Sequence, residues 1–186
     1  ALDLGRRPRL VTTDGEFHTL RRLMARLSEE QWLEVVVVEA RPAETLAERL
    51  AAETDERTAA VLVSAVLFDD SRIVPGLGEL ASACESCGAQ LLVDVYHALG
   101  AMPFPLRRQG LGGAWVVGGG YKYLQLGEGN CFLRLPPQAD ERRPAITGWF
   151  AEFAEMAAER QAGAVDYPKG GMRFAGATYD PTSHYR

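Results

Sequence analysis

Six short apolar runs punctuate the chain: Arg9-Leu-Val-Thr-Thr13, Glu34-Val-Val-Val-Val-Glu39, Ala60-Val-Leu-Val-Ser-Ala-Val66, Gln90-Leu-Leu-Val-Asp94, Ala114-Trp-Val-Val-Gly118 and Cys131-Phe-Leu-Arg-Leu135. They are rich in β-branched residues and lack polar alternation, the pattern of strands covered on both faces in a parallel sheet. Between them, Leu20, Leu23, Met24 and Leu27 fall at i, i+3, i+4, i+7, as do Ala43, Leu46, Ala47 and Leu50, so each set makes one apolar helix stripe. Leu77, Leu80, Ala81 and Cys84 make a third, stopped by Gly88. Strand and helix in repeated alternation predict an α/β fold: a mostly parallel open sheet with helices on both faces.

Two intervals depart from that alternation. The stretch between Gly118 and Cys131 is too short for a crossover helix, so the strands flanking it are expected to run antiparallel. After Arg134 the chain turns polar and Pro-rich through Pro144, which reads as a surface excursion. Gly148 to Gln161 is expected to be helical, with Phe150, Phe153, Ala154 and Ala157 on one side. Asp166 to Arg186 is rich in Gly, Pro, Tyr and Thr and has no period. No internal repeat is present.

Composition narrows the function classes. The 186 residues are 47% hydrophobic and 24% charged, enough apolar material for a folded core. Lysines and arginines number 20 against 25 aspartates and glutamates, a formal charge of −5. That balance argues against holding nucleic acid or an anionic membrane by bulk charge. No apolar run approaches the roughly 20 residues of a membrane-crossing helix. No secretory signal opens the sequence, and three cysteines cannot build a disulfide framework, so a cytoplasmic setting is expected. Cys84 and Cys87 form a Cys-x-x-Cys, but at the end of a predicted helix, where the dipole does not activate a thiol. They read as core thiols, and no metal site is expected.

Ligands of open α/β sheets bind beyond the carboxyl ends of the strands. That rule selects Thr12, Thr13 and Asp14 after the first run, Ser64 in the third, Asp94 and His97 after the fourth, and Gly118 to Lys122 after the fifth. A carboxylate at Asp94, ending a buried strand, needs either a cationic partner or a helix N-terminus to cap. His97 is open to catalysis or to hydrogen-bonded packing. Lys122 stands among glycines and aromatics; stripped of part of its water it becomes an amine nucleophile, and otherwise it is a surface lysine with an apolar stem. The glycines do not match phosphate-loop or dinucleotide spacing. An aspartate and a lysine on consecutive strand ends suit pyridoxal phosphate, which needs an amine for its aldehyde and a carboxylate at its ring nitrogen.

Asp94-Val-Tyr-His97, followed by Gly119-Gly-Tyr-Lys-Tyr-Leu-Gln-Leu-Gly-Glu-Gly-Asn130, resembles the large domain of pyridoxal-phosphate enzymes of the class V aminotransferase group (fold type I), specifically kynureninase and its relatives. The resemblance implies pyridoxal 5'-phosphate as cofactor, Lys122 as the Schiff-base lysine and Asp94 as partner of the ring nitrogen. It also puts His97 beside the cofactor, Tyr121 at its phosphate and in proton relay, and Phe17 stacked on its ring. Asp14 and Ser64 would be cofactor neighbours; Trp149 in Gly148-Trp149-Phe150 and Thr178 in Ala175-Gly-Ala-Thr178 would reach the phosphate of a partner subunit's cofactor. By their residue types alone, Ser64 and Trp149 could equally be packing residues and Thr178 a turn residue.

The implied activity is hydrolysis of L-kynurenine or 3-hydroxykynurenine to anthranilate and alanine, part of tryptophan catabolism. The alternatives are another class V reaction (aminotransferase, desulfurase or Cβ lyase) or an inactive fragment. Implied partners are a small amino-acid substrate and a second copy in a homodimer, with no nucleic acid and no membrane. Residues 1–146 read as part of the cofactor-binding large domain and 147–186 as a segment leading out of it. Family members are more than twice this long, so the chain is expected to match their middle and to leave apolar sheet surface uncovered. Arg173 and Arg186 are not assigned to a substrate carboxylate.

Overall fold

A computed structural model describes residues 2–155, 163 and 165–176. Strands β1 (Arg9–Thr13), β2 (Glu34–Val38), β3 (Thr58–Ser64), β4 (Gln90–Asp94), β5 (Trp115–Gly119) and β6 (Cys131–Arg134) form one sheet in the order β2-β1-β3-β4-β5-β6. The first five are parallel, and β6 returns antiparallel to β5, as the short interval between them requires. Each parallel step is long enough to carry a crossover, and three contain helices: α1 (His18–Glu29), α2 (Leu46–Ala52) and α3 (Leu77–Cys87).

The two faces of the sheet are covered unequally. Helices α2 and α3 bring Leu46, Leu50 and Leu80, all with no exposed surface, against Val11, Val61, Val63, Leu91, Val93 and Val116. On the other face α1 lays Met24, with Leu20 and Leu27, over Leu10, Ala59 and Ala60. Full burial of each such side chain contributes about 1.5–3 kcal/mol. Beyond α1 that second face continues as an apolar cleft over Leu62, Leu92 and Trp115, flanked by Ile146 and Phe174. Phe132 and Leu133 on β6 are about two-fifths exposed (40% and 43%), so apolar sheet surface is indeed left open.

Arg9 anchors the start of β1, with Nη1 2.8 Å from Asp55 and Nη2 3.1 Å from Glu53, tying it to the turn that follows α2. Gly88 ends α3 in the left-handed region (φ 76°), a conformation that demands glycine; a Cβ there would stand 2.7 Å from the Arg7 guanidinium, which would have to move aside. Cys84 and Cys87 occupy the last turn of α3; burial pushes the Cys84 thiol up to about 12.

Most strand ends lie within a residue of the sequence reading, and the larger differences fall in three places. β3 starts earlier, at Thr58, whose hydroxyl closes a turn on Asp55, and it ends at Ser64 instead of Val66. Past Ser64, Val66 bridges Ile73 antiparallel and carries the chain out of the sheet. The second stripe begins as a 3-10 turn (Ala43–Thr45) behind Pro42 before α2 proper. Over the predicted 148–161 helix the chain makes a 3-10 helix at Trp149–Glu155; residues 156–161 lie outside the described residues. In the aperiodic tail, Gly170–Phe174 forms another 3-10 turn, and Phe174 meets Trp115 edge-on at 5.4 Å. Among the described residues no helix is long and apolar enough to cross a membrane.

Candidate functional site

Register brings the site together. Ser64, the last residue of β3, pairs with Asp94, the last of β4, which pairs in turn with Val117 of β5. Directly beyond β5 the chain enters the loop that carries Tyr121 and Lys122. This loop is closed on itself by Gly120 N–H to Asn130 O (2.7 Å), Leu126 N–H to Gly120 O (2.9 Å) and Asn130 Nδ2 to Leu126 O (2.8 Å). Glycine is required at its base: a Cβ on Gly119 would lie 2.6 Å from the Tyr96 ring. The result is a cavity of about 340 Å³ over the carboxyl ends of β3, β4 and β5, with Phe17 and Leu20 from the start of α1 on its far wall.

Lys122 points into this cavity. Its Nζ lies 2.7 Å from His97 Nε2, 5.5 Å from the Phe17 ring centre and 5.8 Å from that of Tyr96. The ring's other nitrogen bonds the Val66 backbone and so carries the N–H, which leaves His97 Nε2 to accept from the lysine amine. Burial, and next the charge of Lys122, hold the His97 pKa below its ordinary value, against the opposing pull of Asp94 and a hydrogen bond to the Val66 backbone. A neutral imidazole therefore faces the lysine.

Asp94 Oδ1 accepts the Tyr96 N–H at 2.8 Å, closing a turn with no helix after it. Burial raises the Asp94 pKa, while the Tyr96 hydrogen bond lowers it, with the electrostatic influence of His97 and Lys122 acting in the same direction as that bond. The carboxylate has burial to offset and only partial compensation, so a cationic ring nitrogen would complete it. Phe68 stacks on His97 (5.8 Å, 22° between planes) and meets Phe17 edge-on at 5.1 Å, giving flat apolar walls to either side. Tyr121 packs 5.6 Å from Tyr96; burial raises its pKa, helped by the electrostatic influence of neighbouring side chains, Asp94 among them.

Of the residues picked from sequence, Lys122, Asp94, His97, Tyr121, Phe17 and Ser64 share this one cavity. Asp14 does not line it; its Oδ1 accepts the Ala40 N–H at 2.7 Å and it borders a separate cleft with Arg21 and Arg41. Trp149 also lies outside it, half exposed and edge-on to Phe150 at 4.5 Å. Thr178 lies outside the described residues. Sequence reasoning passed over Phe68, Tyr96 and Glu16. Phe68 and Tyr96 follow β3 and β4 closely, so a wider window at the strand ends finds them. Glu16 carries no such signal: only the fold shows that it is buried beneath Ser64.

No family model matches the chain. Its sequence is 30% identical to a kynureninase of Pseudomonas fluorescens over 114 residues, 60% of this chain and 27% of that protein. The fold superposes on the apo cysteine desulfurase of Thermococcus onnurineus NA1 with a TM-score of 0.71 at 19% identity, covering 94% of this chain and 42% of that one. It superposes equally (0.71, 18% identity, 96% and 46% covered) on a mutant of the enzyme C-DES with glycine covalently linked to its pyridoxal-phosphate cofactor. The cystine C-S lyase C-DES with its product cysteine persulfide gives 0.70 at 20% identity, covering 96% and 47%. The chain thus spans about a quarter of the curated relative (27%) and under half of these structures (42–47%). Its fold is the one seen in these cysteine desulfurase and C-DES structures, and its sequence similarity is to kynureninase.

Proposed function

We propose that this chain forms the cofactor-binding part of a pyridoxal-phosphate enzyme that hydrolyses a kynurenine to anthranilate and alanine. The observation that carries the cofactor is the pairing, in one cavity, of a lysine amine held on a neutral histidine with a half-buried carboxylate that lacks a full counter-charge. The residues fit the group: an amine for the aldehyde, an anion for a cationic ring nitrogen, and aromatic faces spaced for a flat ring. When bound, pyridoxal phosphate supplies an electron-withdrawing ring that stabilises negative charge developing on an amino acid's α-carbon.

Each residue then has a defined task. Lys122 Nζ is the amine, and it takes and returns the proton at the substrate's α-carbon. His97 Nε2, directed at that amine, accepts the proton Lys122 must lose to act as a base. Asp94 keeps a proton on the ring nitrogen, and its own burial strengthens that pairing. Phe17 and His97 hold the ring plane, with Phe68 backing His97. Tyr121 binds the phosphate and relays protons. The apolar walls limit the water near the reacting atoms to what the cleavage itself consumes.

A phosphate dianion wants more donors than the Tyr121 hydroxyl and the nearby Thr19 supply. We therefore include a homodimer in the proposal, in which Trp149 and Thr178 serve the partner subunit's cofactor. A cytoplasmic setting agrees with three unpaired cysteines.

The likeness to desulfurase and lyase structures supports a second reading, another class V reaction on the same machinery, because Asp94 and Lys122 would serve it unchanged. Adding pyridoxal phosphate to the full-length protein should produce a visible absorption band that Lys122→Ala lacks. Kynurenine should then release fluorescent anthranilate. An unchanged band in the variant refutes the site, and a band with keto-acid-dependent amino transfer but no anthranilate selects the second reading.

A further inference from the structure

Beneath the cavity lies a second acid that the tasks above do not use. Glu16, 1% exposed, accepts the Ser64 backbone N–H on Oε1 (2.8 Å), and its Oε2 lies 2.6 Å from Ser64 Oγ. Ser64 in turn lines the cavity, in register with Asp94. Among the described residues Glu16 has no cationic ion-pair partner.

The geometry points to Glu16 as a positioning residue that, through Ser64, sets whether the cavity meets a hydrogen-bond donor or only an acceptor at the end of β3. A serine hydroxyl has one proton. When Glu16 is a carboxylate, that proton is committed to Oε2 and Ser64 offers the cavity only lone pairs. When Glu16 carries its own proton on Oε2, the bond reverses: Glu16 donates to Ser64 Oγ, and the serine proton is released toward the cavity. The Ser64 N–H stays on Oε1 in both states, so the switch takes up one proton from water, turns the serine's own proton and breaks no contact between the two side chains.

The surroundings allow both states near neutrality. Burial pushes the Glu16 carboxyl up to about 7, against the two Ser64 hydrogen bonds that favour its charge. From the adjoining strand the titratable group facing it is Asp94, whose negative charge acts in the same direction as burial. His97 and Lys122, beyond, bear on Asp94. On its own segment, Asp14 is occupied with the Ala40 N–H.

The ligand consequence rests on the pyridoxal-phosphate reading. Apart from its ring nitrogen, which Asp94 would take, and the aldehyde oxygen, which would leave as water on reaction with Lys122, the polar atoms of pyridoxal phosphate are oxygens able to accept, so the donor state of Ser64, with Glu16 protonated, is the binding state. Glu16→Gln locks that state at every pH, because the carboxamide accepts the Ser64 N–H and donates to Ser64 Oγ.

Two measurements on the full-length protein test this. Without cofactor, infrared difference spectra should show a protonated-carboxyl stretch lost with a midpoint near the value of about 7 and absent from Glu16→Gln. With pyridoxal phosphate as probe, wild type and Glu16→Gln should bind equally at about pH 6, and the variant about tenfold more tightly at about pH 8. Ser64→Ala, which has no hydroxyl proton to redirect, should lose that pH-dependent difference and guards against a misfolded Glu16 variant. Absence of the Glu16-dependent band, or equal affinity ratios at both pH values, overturns the role of Glu16. Failure of every variant to bind pyridoxal phosphate refutes the cofactor reading instead, and the infrared result then decides on its own whether Glu16 changes state.

Discussion

Replacing Glu16 by Gln should make the protein more stable at alkaline pH and leave it unchanged in acid. In the folded chain burial moves this carboxyl from 4.5 to about 7, whereas in the unfolded chain it titrates at its ordinary value. Between those two values the folded state holds a proton that the unfolded state has released, so stability falls as pH rises. At about 1.4 kcal/mol per tenfold change in proton affinity, the whole displacement is worth about 3 kcal/mol. That contribution is fully present below 4.5 and lost as pH passes about 7. The glutamine has no proton to lose and keeps both bonds to Ser64, so the variant should gain about 3 kcal/mol on wild type between about pH 4 and pH 8. Urea unfolding of both proteins across that range reads the difference directly, since titrations common to both cancel. A stability difference independent of pH refutes the reasoning, because the folded state would then be compensating the buried charge.

Two further outcomes probe the packing. Leu50→Ala, at a fully buried position between α2 and the sheet, should cost about 3 kcal/mol in urea unfolding; a loss below about 1 kcal/mol would mean the α2 face is not the core. Gly119→Ala places a methyl 2.6 Å from the Tyr96 ring and should move that ring into the cavity wall. Pyridoxal-phosphate affinity should fall by at least tenfold, read by absorbance titration, and retained affinity would show that the strand end can shift to make room.

Much of the architecture was legible because each strand announces itself locally. An unbroken apolar run such as Leu91-Leu92-Val93 can only be satisfied in the middle of a covered sheet, and the stripes at Leu20 and Leu77 supply the covers. The same reasoning, with the strand-end rule, led to Lys122, Asp94 and His97. Boundaries were less legible: β3 stops at Ser64 because Val66 bridges Ile73, a contact that no local propensity encodes. Asp14 looked like a site residue by position, yet its carboxylate is spent on the Ala40 backbone at the end of β2.

The sequence by itself determined the element order, the reversal at β6 and the strand ends where chemistry gathers, since hydrophobic period and loop length are local properties. Tertiary structure decided what faces what. It set Lys122 against His97, distinguished Ser64 on the cavity from Asp14 beside it, and buried Glu16 without a cation beneath Ser64. Those outcomes depend on strand register and on desolvation, and both arise only when residues far apart in the chain are brought into contact and water is excluded between them.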